Sequence, residues 1–233
     1  MKKLDKQDLN KCLLCDGLGL IYNDKTKRYS NCKCQQNERL IKALANTGLS
    51  REQLKKSFKE FDPWNNEVKK MKDVATSYYL SFEKIKDSDN NSLALLGESG
   101  SGKTHLISAL INNFVSNKNL DIAYISYIDT VTELKQNVLN AEVYKKKMDR
   151  YKKCQMLVID DLFKGGYTDS DIRIMMEIIN YRYSFKKPMM ISSEFFIEDL
   201  IKIDKALGGR IREKSKGHIY EINGINNNYR LRK

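Results

Sequence analysis

The sequence predicts an α/β protein: a parallel sheet flanked by helices, preceded by a small cysteine-rich module. Three observations carry this. From about residue 92 to residue 222, apolar strand-like runs alternate with amphipathic helical runs. One strand-to-helix junction holds the glycine-rich stretch Gly97-Glu98-Ser99-Gly100-Ser101-Gly102-Lys103-Thr104. Four of the five cysteines lie before residue 35.

The cysteines come first in chain order, as Cys12-x-x-Cys15 and Cys32-x-Cys34. Paired thiols at such spacing, in a chain read as cytosolic, predict a zinc site rather than disulfides. Zn²⁺ takes four thiolates in a closed tetrahedron, two from each tight pair. Cys12-Leu13-Leu14-Cys15-Asp16-Gly17-Leu18-Gly19 reads as a zinc knuckle, with glycines that let the backbone turn toward the metal. Leu20-Ile21-Tyr22 and Arg28-Tyr29-Ser30 form a short hairpin in this reading. So small a segment depends on its metal for folding energy. A redox pair or unligated thiols are the alternatives. The fifth cysteine, Cys154, reads as a small buried hydrophobe.

Gln35 to Ala45 is expected to form a short helix ending near Gly48. Ser50 with Gln53 three residues on is a helix-start signal. Ser57 to Trp64 reads as an ordered connection. A helix is expected over Asn65 to Ile85, because Val68, Met71, Val74, Ala75, Tyr78, Tyr79 and Phe82 recur at helical spacing. Asp87 to Asn91 is a turn. The boundaries implied are a zinc module over 1–48, a linker over 49–56 and an α/β domain over 57–233.

Residues 97–104 match G-x-x-x-x-G-K-[ST], the phosphate-binding P-loop. The strand Ser92-Leu93-Ala94-Leu95-Leu96 precedes the loop, and a helix begins around His105. Glycines let the loop turn its N–H groups inward around phosphates, and the helix N-terminus adds its positive dipole end. Lys103 is expected to reach the β/γ-phosphates of ATP, and Thr104 to hold Mg²⁺. Gly97 through His105 are thus the candidate cofactor-binding residues. Met156-Leu157-Val158-Ile159-Asp160-Asp161-Leu162 is an apolar strand ending in two carboxylates. In P-loop proteins a strand next to the P-loop strand delivers an acid to the Mg²⁺ shell, and Asp160 is assigned that role. Asp161 sits where a water-polarising acid belongs. It is one methylene shorter than Glu, which limits its reach.

Further along, a strand is expected over Asp121–Ile128 and helices over Thr130–Leu139 and Ala141–Lys153. After the Asp160 strand come an amphipathic helix over Ser170–Phe185 and a strand over Pro188–Ser193. Helices over Ile197–Ile203 and Lys205–Ile211 and a strand over His218–Ile222 complete the alternation. Nucleotide is expected at the carboxyl ends of the strands.

The chain has 233 residues, a hydrophobic fraction of 41% and a net charge of +12. That supports one core domain plus an appendage. The charge points to an anionic partner, with nucleic acid first among candidates. A genome that favours Lys, Asn and Ile explains the same excess. No apolar run spans a membrane, and residues 1–8 lack a signal-peptide core, so a cytoplasmic protein is expected.

Together these motifs resemble the AAA+ ATPases of the DnaC/DnaI helicase-loader type, a group that includes phage-encoded versions. The resemblance rests on the Cys-rich N-terminus, Ser57-Phe58-Lys59-Glu60-Phe61, the P-loop and Val158-Ile159-Asp160-Asp161-Leu162. Ile191-Ser192-Ser193-Glu194, Leu207-Gly208-Gly209-Arg210-Ile211 and Asn228-Tyr229-Arg230-Leu231 extend it over nearly the whole chain. It implies an AAA+ core over 57–233 and a helicase-docking role for the zinc module. It implies that Phe58 and Phe61 contact or cover adenine, with ordinary packing as the alternative. Ser193 and Glu194 fall at the sensor-1 position, although Glu194 departs from the usual Asn or Asp. Arg210 resembles an arginine finger that reaches a neighbouring subunit's γ-phosphate, with Arg212 close enough to serve instead. The helices over 130–153 fall where initiator-type relatives carry an extra helix. Lys145, Lys146, Lys147, Arg150, Lys152 and Lys153 would contact phosphates there, with Tyr144 and Tyr151 stacking on bases. The alternative is a solvated basic face.

The resemblance therefore implies an ATP-dependent homo-oligomer that binds single-stranded DNA and a hexameric replicative helicase, with slow ATP hydrolysis as a switch. Two rivals remain. One is a transposition helper ATPase with the same core. The other is a zinc-stabilised nucleic-acid-binding adaptor with a vestigial nucleotide site. A metabolite kinase lacks any acceptor-binding motif in this sequence.

Overall fold

Leu20–Asn23 (β1) and Arg28–Asn31 (β2) pair antiparallel, with Leu20 opposite Asn31 and Asn23 opposite Arg28. The turn between them closes because the Asn23 side-chain oxygen accepts the Thr26 N–H at 3.2 Å and Lys27 takes a left-handed conformation (φ 53°). This is the hairpin expected between the two cysteine pairs. The computed structural model describes residues 12, 14, 15, 18–24, 26–32 and 47–232. The helix expected over Gln35–Ala45 lies outside the described residues. The chain divides into two compact units, residues 1–45 and 46–233.

The second unit opens with α1 (Arg51–Lys55), started by a reciprocal capping box. The Ser50 hydroxyl accepts the Gln53 N–H at 3.3 Å, and the Gln53 side-chain oxygen accepts the Ser50 N–H at 2.9 Å. The stretch 49–56, expected as a linker, thus carries a helix, and that helix packs against the helix Lys103–Lys118. In α2 (Asn66–Ile85) the Asn65 side chain caps the first turn by accepting the Val68 N–H at 2.8 Å. Its buried stripe of Val68, Met71, Ala75, Tyr78 and Phe82 matches the spacing read from sequence.

The remaining elements alternate: β3 (Leu93–Gly97), α3 (Lys103–Lys118), β4 (Ile122–Ser126), α4 (Tyr127–Gln136) and α5 (Ala141–Lys153). Then follow β5 (Met156–Leu162), α6 (Asp169–Ser184), β6 (Met189–Ser193), α7 (Ile197–Ile203), α8 (Lys205–Lys214) and β7 (Ile219–Ile222). Two 3₁₀ turns, Ile225–Asn227 and Tyr229–Leu231, come last. The five strands β3–β7 form one parallel sheet in the order β4-β5-β6-β3-β7. Both faces are covered, so β3 is buried throughout. One face places Ala94, Leu96, Ile125, Leu157, Ile159 and Ile191 against α4 to α8, and α2 and α3 pack on the sheet as well.

Two expectations are corrected. The Asp160 strand is not the neighbour of the P-loop strand, because β6 lies between β3 and β5. The strand expected to run to Ile128 stops at Ser126, and α4 starts at once. Tyr127 is buried there and sets its ring edge-on against Phe163 at 5.5 Å, which turns the chain inward. No helix among the described residues is long and apolar enough to cross a membrane.

The amino-end edge of the sheet holds two buried cations. Arg182 is fully buried and donates to the carbonyls of Tyr151, Lys152, Cys154, Gln155 and Pro188 at 2.8–3.3 Å. These carbonyls end α5 and lead into β5 and β6, so one guanidinium bonds five acceptors, of which the Pro188 carbonyl also accepts the Leu157 N–H. Lys214 is 1% exposed, and its amine has no hydrogen-bond partner among the described residues. Burial, with the Arg182 charge nearby, pushes it down to about 8. Its folded form therefore binds fewer protons than the unfolded chain between about pH 8 and the ordinary lysine value. Stability from this site is low below pH 8 and is gained as pH rises through that window. Lys214→Met is expected to stabilise the protein at pH 7 by about 1–3 kcal/mol, the range for removing an unsatisfied buried polar group. Thermal melts at pH 7 and pH 10 check this: the variant's advantage shrinks at the higher pH.

Candidate functional site

β3 ends at Gly97 and α3 begins at Lys103, so the P-loop spans the gap between a buried strand and a helix N-terminus. Gly97 (φ 99°) and Gly102 (φ 95°) hold left-handed backbone that an L side chain resists. A Cβ at Gly97 would also run into the Ile222 carbonyl of β7, and one at Gly102 into the Phe61 ring. A cavity of about 650 Å³ opens on this loop. Residues 99–105 form one wall. Gln53, Lys56, Glu60, Phe61, Asp62 and Trp64 form a second, and Tyr229, Arg230 and Arg232 a third. Ser108, Asp161, Lys164 and Glu194 complete the lining.

Lys103 is buried and folded back on the loop, donating to the carbonyls of Gly97 and Glu98 at 2.7 Å each. Burial lowers its pKa from the ordinary lysine value, and the nearby Asp161 and Glu194 oppose that shift. Asp160 is 3% exposed and is held from three elements. Thr104 on α3 donates to Oδ1 at 3.1 Å, Tyr124 on β4 donates to Oδ2 at 2.7 Å, and the Ser192 hydroxyl on β6 donates to Oδ1. Burial raises the Asp160 carboxyl above the usual range, and the bonds from Ser192 and Tyr124 pull it back. Burial, with Asp160 nearby, pushes the Tyr124 phenol up. The adjacent Thr104 hydroxyl and Asp160 carboxylate are the hard oxygen donors that Mg²⁺ prefers, so the residues present fit that ion.

The strand bends where it delivers these acids. The β5–β6 register shifts between Ile159 and Leu162, and Asp161 (φ 57°) and Phe163 (φ 64°) are both left-handed. The Asp161 N–H donates to Ser192 Oγ at 2.8 Å, while its carboxylate pairs with Lys164 at 2.7 Å. Glu194 lies 3.5 Å from the same lysine. Burial would raise the Glu194 carboxyl, but the Ser99 hydrogen bond and the Lys164 and Lys103 charges outweigh it and leave it lowered.

Sequence reasoning placed Gly97 through His105, Asp160, Asp161, Phe61 and Glu194 in one neighbourhood, and the structure brings them together. Ser193 is buried and donates to the Leu162 carbonyl at 2.7 Å, away from the cavity lining. Phe58 is half-buried and is not among the lining residues, whereas Phe61 is. His105 donates from Nε2 to the Ser57 carbonyl at 3.0 Å and meets the Phe61 ring edge-on. Arg210 lies over the Tyr183 ring and reaches Met176 Sδ at 3.2 Å, and Arg212 pairs with Glu198 at 3.1 Å. Both arginines are thus outside their own chain's cavity.

The basic stretch of α5 differs from its sequence reading. Lys147, Arg150, Lys152 and Lys153 pair with Glu133, Asp121, Glu177 and Asp149. Tyr144 and Tyr151 are partly buried and pack against the core. Lys145 and Lys146 remain exposed.

Sequence reasoning missed Tyr124, Ser192, Trp64, Tyr229 and Arg232. The Trp64 and Tyr229 rings are 5.1 Å apart, and the Arg232 guanidinium sits 5.5 and 5.6 Å from them. The Tyr229 N–H donates to the Gly100 carbonyl at 3.0 Å, which lays this segment along the P-loop. The only signals were aromatic residues beside motifs, and nothing in the sequence paired them.

In the first unit, the sulfurs of Cys12, Cys15 and Cys32 lie within 4.8 Å of one another. Those of Cys12 and Cys32 are 3.7 Å apart, and the Gly19 N–H donates to Cys15 Sγ at 3.2 Å. Thiolates about 2.3 Å from a tetrahedral zinc stand about 3.8 Å apart, so the spacing fits that metal. Cys34, the fourth expected ligand, lies outside the described residues.

A family model for IstB-like ATP-binding proteins matches residues 31–233. The uncharacterized protein YqaM of Bacillus subtilis (strain 168) is 38% identical over 200 residues, covering 83% of this chain. This chain spans 63% of that relative's length. The phage-like element PBSX protein XkdC of the same organism is 33% identical over 228 residues, covering 91% of this chain and 85% of XkdC. A crystal structure of the DnaC helicase loader matches with a TM-score of 0.58 at 18% identity, covering 75% of this chain and all of that one, which shows a shared fold.

Trp64 is the one tryptophan of the chain, so its emission reports on the cavity. Arg232→Ala removes the guanidinium over the indole and is expected to shift the unliganded emission to the red. Nucleotide titration of the parent protein is expected to change the same signal saturably.

Proposed function

The chain belongs to the family of IstB-like ATP-binding proteins, and on that footing we propose that it is an ATP-controlled loader of a replicative helicase. ATP occupies the cavity of about 650 Å³. Lys103 leaves the carbonyls of Gly97 and Glu98 for the β/γ-phosphates, exchanging two neutral acceptors for charged ones. Thr104 and Asp160 would hold Mg²⁺, which when bound offsets the phosphate charge. Phe61 and Trp64 face the adenine end, while Phe58 contributes packing.

Asp161 is the proposed orienting acid for the attacking water. Its pairing with Lys164 supports slow hydrolysis, since the carboxylate must be released before it can orient water. Glu194 shares that lysine and is the proposed sensor-1 group, while Ser193 braces the strand end. Arg210, or Arg212 beside it, is the proposed finger for a neighbouring subunit. Neither serves its own cavity, as a finger acting in trans requires. The active form is then an oligomer, with nucleotide at the junction of subunits.

In this reading the cysteine unit binds zinc and docks on the helicase. The exposed Leu14, Leu18 and Tyr29 support an apolar contact there. Lys145 and Lys146 are proposed to meet single-stranded DNA through its phosphates, independent of sequence. A cytoplasmic location follows from that role.

The observation that carries the reading is the pairing, in one chain, of a three-thiol cluster with an ATP-type cavity on a loader-like fold. The family description keeps one rival alive, because IstB-like ATPases give the family its name. That rival is a transposition helper. Affinity capture from host lysate with and without ATP separates the two. Enrichment of the replicative helicase supports loading, and enrichment of a transposase overturns it. Two further outcomes are expected. Lys103→Ala weakens ATP binding about 10- to 100-fold, the worth of hydrogen bonds to charged groups, as measured by calorimetry. Metal analysis finds one zinc per chain, lost in Cys15→Ser.

A further inference from the structure

Residues 47–56 lead from the first unit into the second, and they lie on the metal-binding side of the sheet. The Tyr124 N–H donates to the Thr47 carbonyl at 2.8 Å. Asn112 on α3 donates to the Lys56 carbonyl at 2.7 Å. A third tie runs through side chains: Gln53 Nε2 donates to the Tyr124 hydroxyl at 2.7 Å, and that hydroxyl donates to Asp160 Oδ2 at 2.7 Å.

The direction of this chain is set by the cap of α1. Gln53 has one carbonyl oxygen and one NH₂ group. Its oxygen is engaged by the Ser50 N–H in the capping box, which turns the NH₂ toward Tyr124. The Tyr124 oxygen then accepts, so its one proton goes to the Asp160 carboxylate. Bonds in such a series polarise one another and strengthen together.

We propose that Gln53 and Tyr124 are positioning residues for Asp160, and that through them residues 47–56 register whether the metal site is filled. The proposal rests on the reading above in which Thr104 and Asp160 hold Mg²⁺. Asp160 Oδ1 takes Thr104 and Ser192, and only Tyr124 fixes Oδ2 among the described side chains. Losing the Tyr124 hydroxyl frees the carboxylate to rotate. Losing the Gln53 donor frees the Tyr124 proton to point elsewhere. Coupling of this kind is reciprocal: if the docked α1 segment helps the metal bind, the metal helps that segment stay docked.

The test uses the full chain and three proteins: parent, Tyr124→Phe and Gln53→Glu. The glutamate keeps an oxygen for the Ser50 N–H but cannot donate to Tyr124. Binding of a slowly hydrolysed fluorescent ATP analogue is titrated with Mg²⁺, and amide hydrogen exchange is followed over residues 50–56. Both variants are expected to need about tenfold more Mg²⁺ for half-maximal binding, the worth of one hydrogen bond to a charged group, and Tyr124→Phe, which lies outside the cavity lining, is expected to keep the parent's metal-free binding in EDTA. In the parent, Mg²⁺ with nucleotide is expected to slow exchange over 50–56, and this protection is expected to vanish in both variants. Unchanged or lowered Mg²⁺ demand in Tyr124→Phe overturns the positioning role. Protection that persists in both variants overturns the coupling. A parent protein whose nucleotide binding ignores Mg²⁺ sinks the metal-site reading itself, and that outcome is visible before any variant is measured.

Discussion

The buried carboxylate of Asp160 is the constraint around which the second unit is arranged. A carboxylate at 3% exposure needs donors, because an unpartnered buried charge costs several kcal/mol or simply takes up a proton. Its donors come from α3, β4 and β6. That requirement bears on the sheet order. With β6 beside β5, Ser192 reaches both Asp160 and the Asp161 N–H. With β4 on the other side, Tyr124 reaches Oδ2. Directly after Asp160 the ladder breaks, with Asp161 left-handed and the β5–β6 register shifted between Ile159 and Leu162.

The P-loop is arranged on the same principle. A buried lysine with no ligand needs acceptors, and Lys103 takes them from its own loop. The loop therefore carries an internal stand-in for phosphate oxygens. Binding exchanges partners rather than uncovering a bare charge. Asp161 and Lys164 make a similar provisional pair on the other side of the cavity.

What could be read in advance was what local spacing dictates. The P-loop, the Ser50–Gln53 cap, the hairpin and the apolar stripe of α2 are all set by residues a few positions apart. Strand order was not legible, and β6 stands where the Asp160 strand was expected to meet the P-loop strand. The alternation of apolar runs is the same for any order of parallel strands. Tyr144 and Tyr151 looked available beside lysines, but helical geometry turns them to the core and leaves the lysines on the rim. Trp64 and Tyr229 meet across almost the whole domain, and no pattern in either segment names the other. The Cys34 contribution lies outside what the structure describes.

The wall formed by residues 228–232 stands apart from the sheet that carries the rest of the site. It rests against the P-loop through one backbone bond, from Tyr229 to Gly100, and through ring and guanidinium contacts with Trp64. None of these belongs to the sheet. These ties leave the wall free of the demands of strand register. Residues 228–232 can therefore change the shape and charge of one rim of the cavity while the strands and the Asp160 cluster keep their places. The wall is where the site can be retuned without being rebuilt.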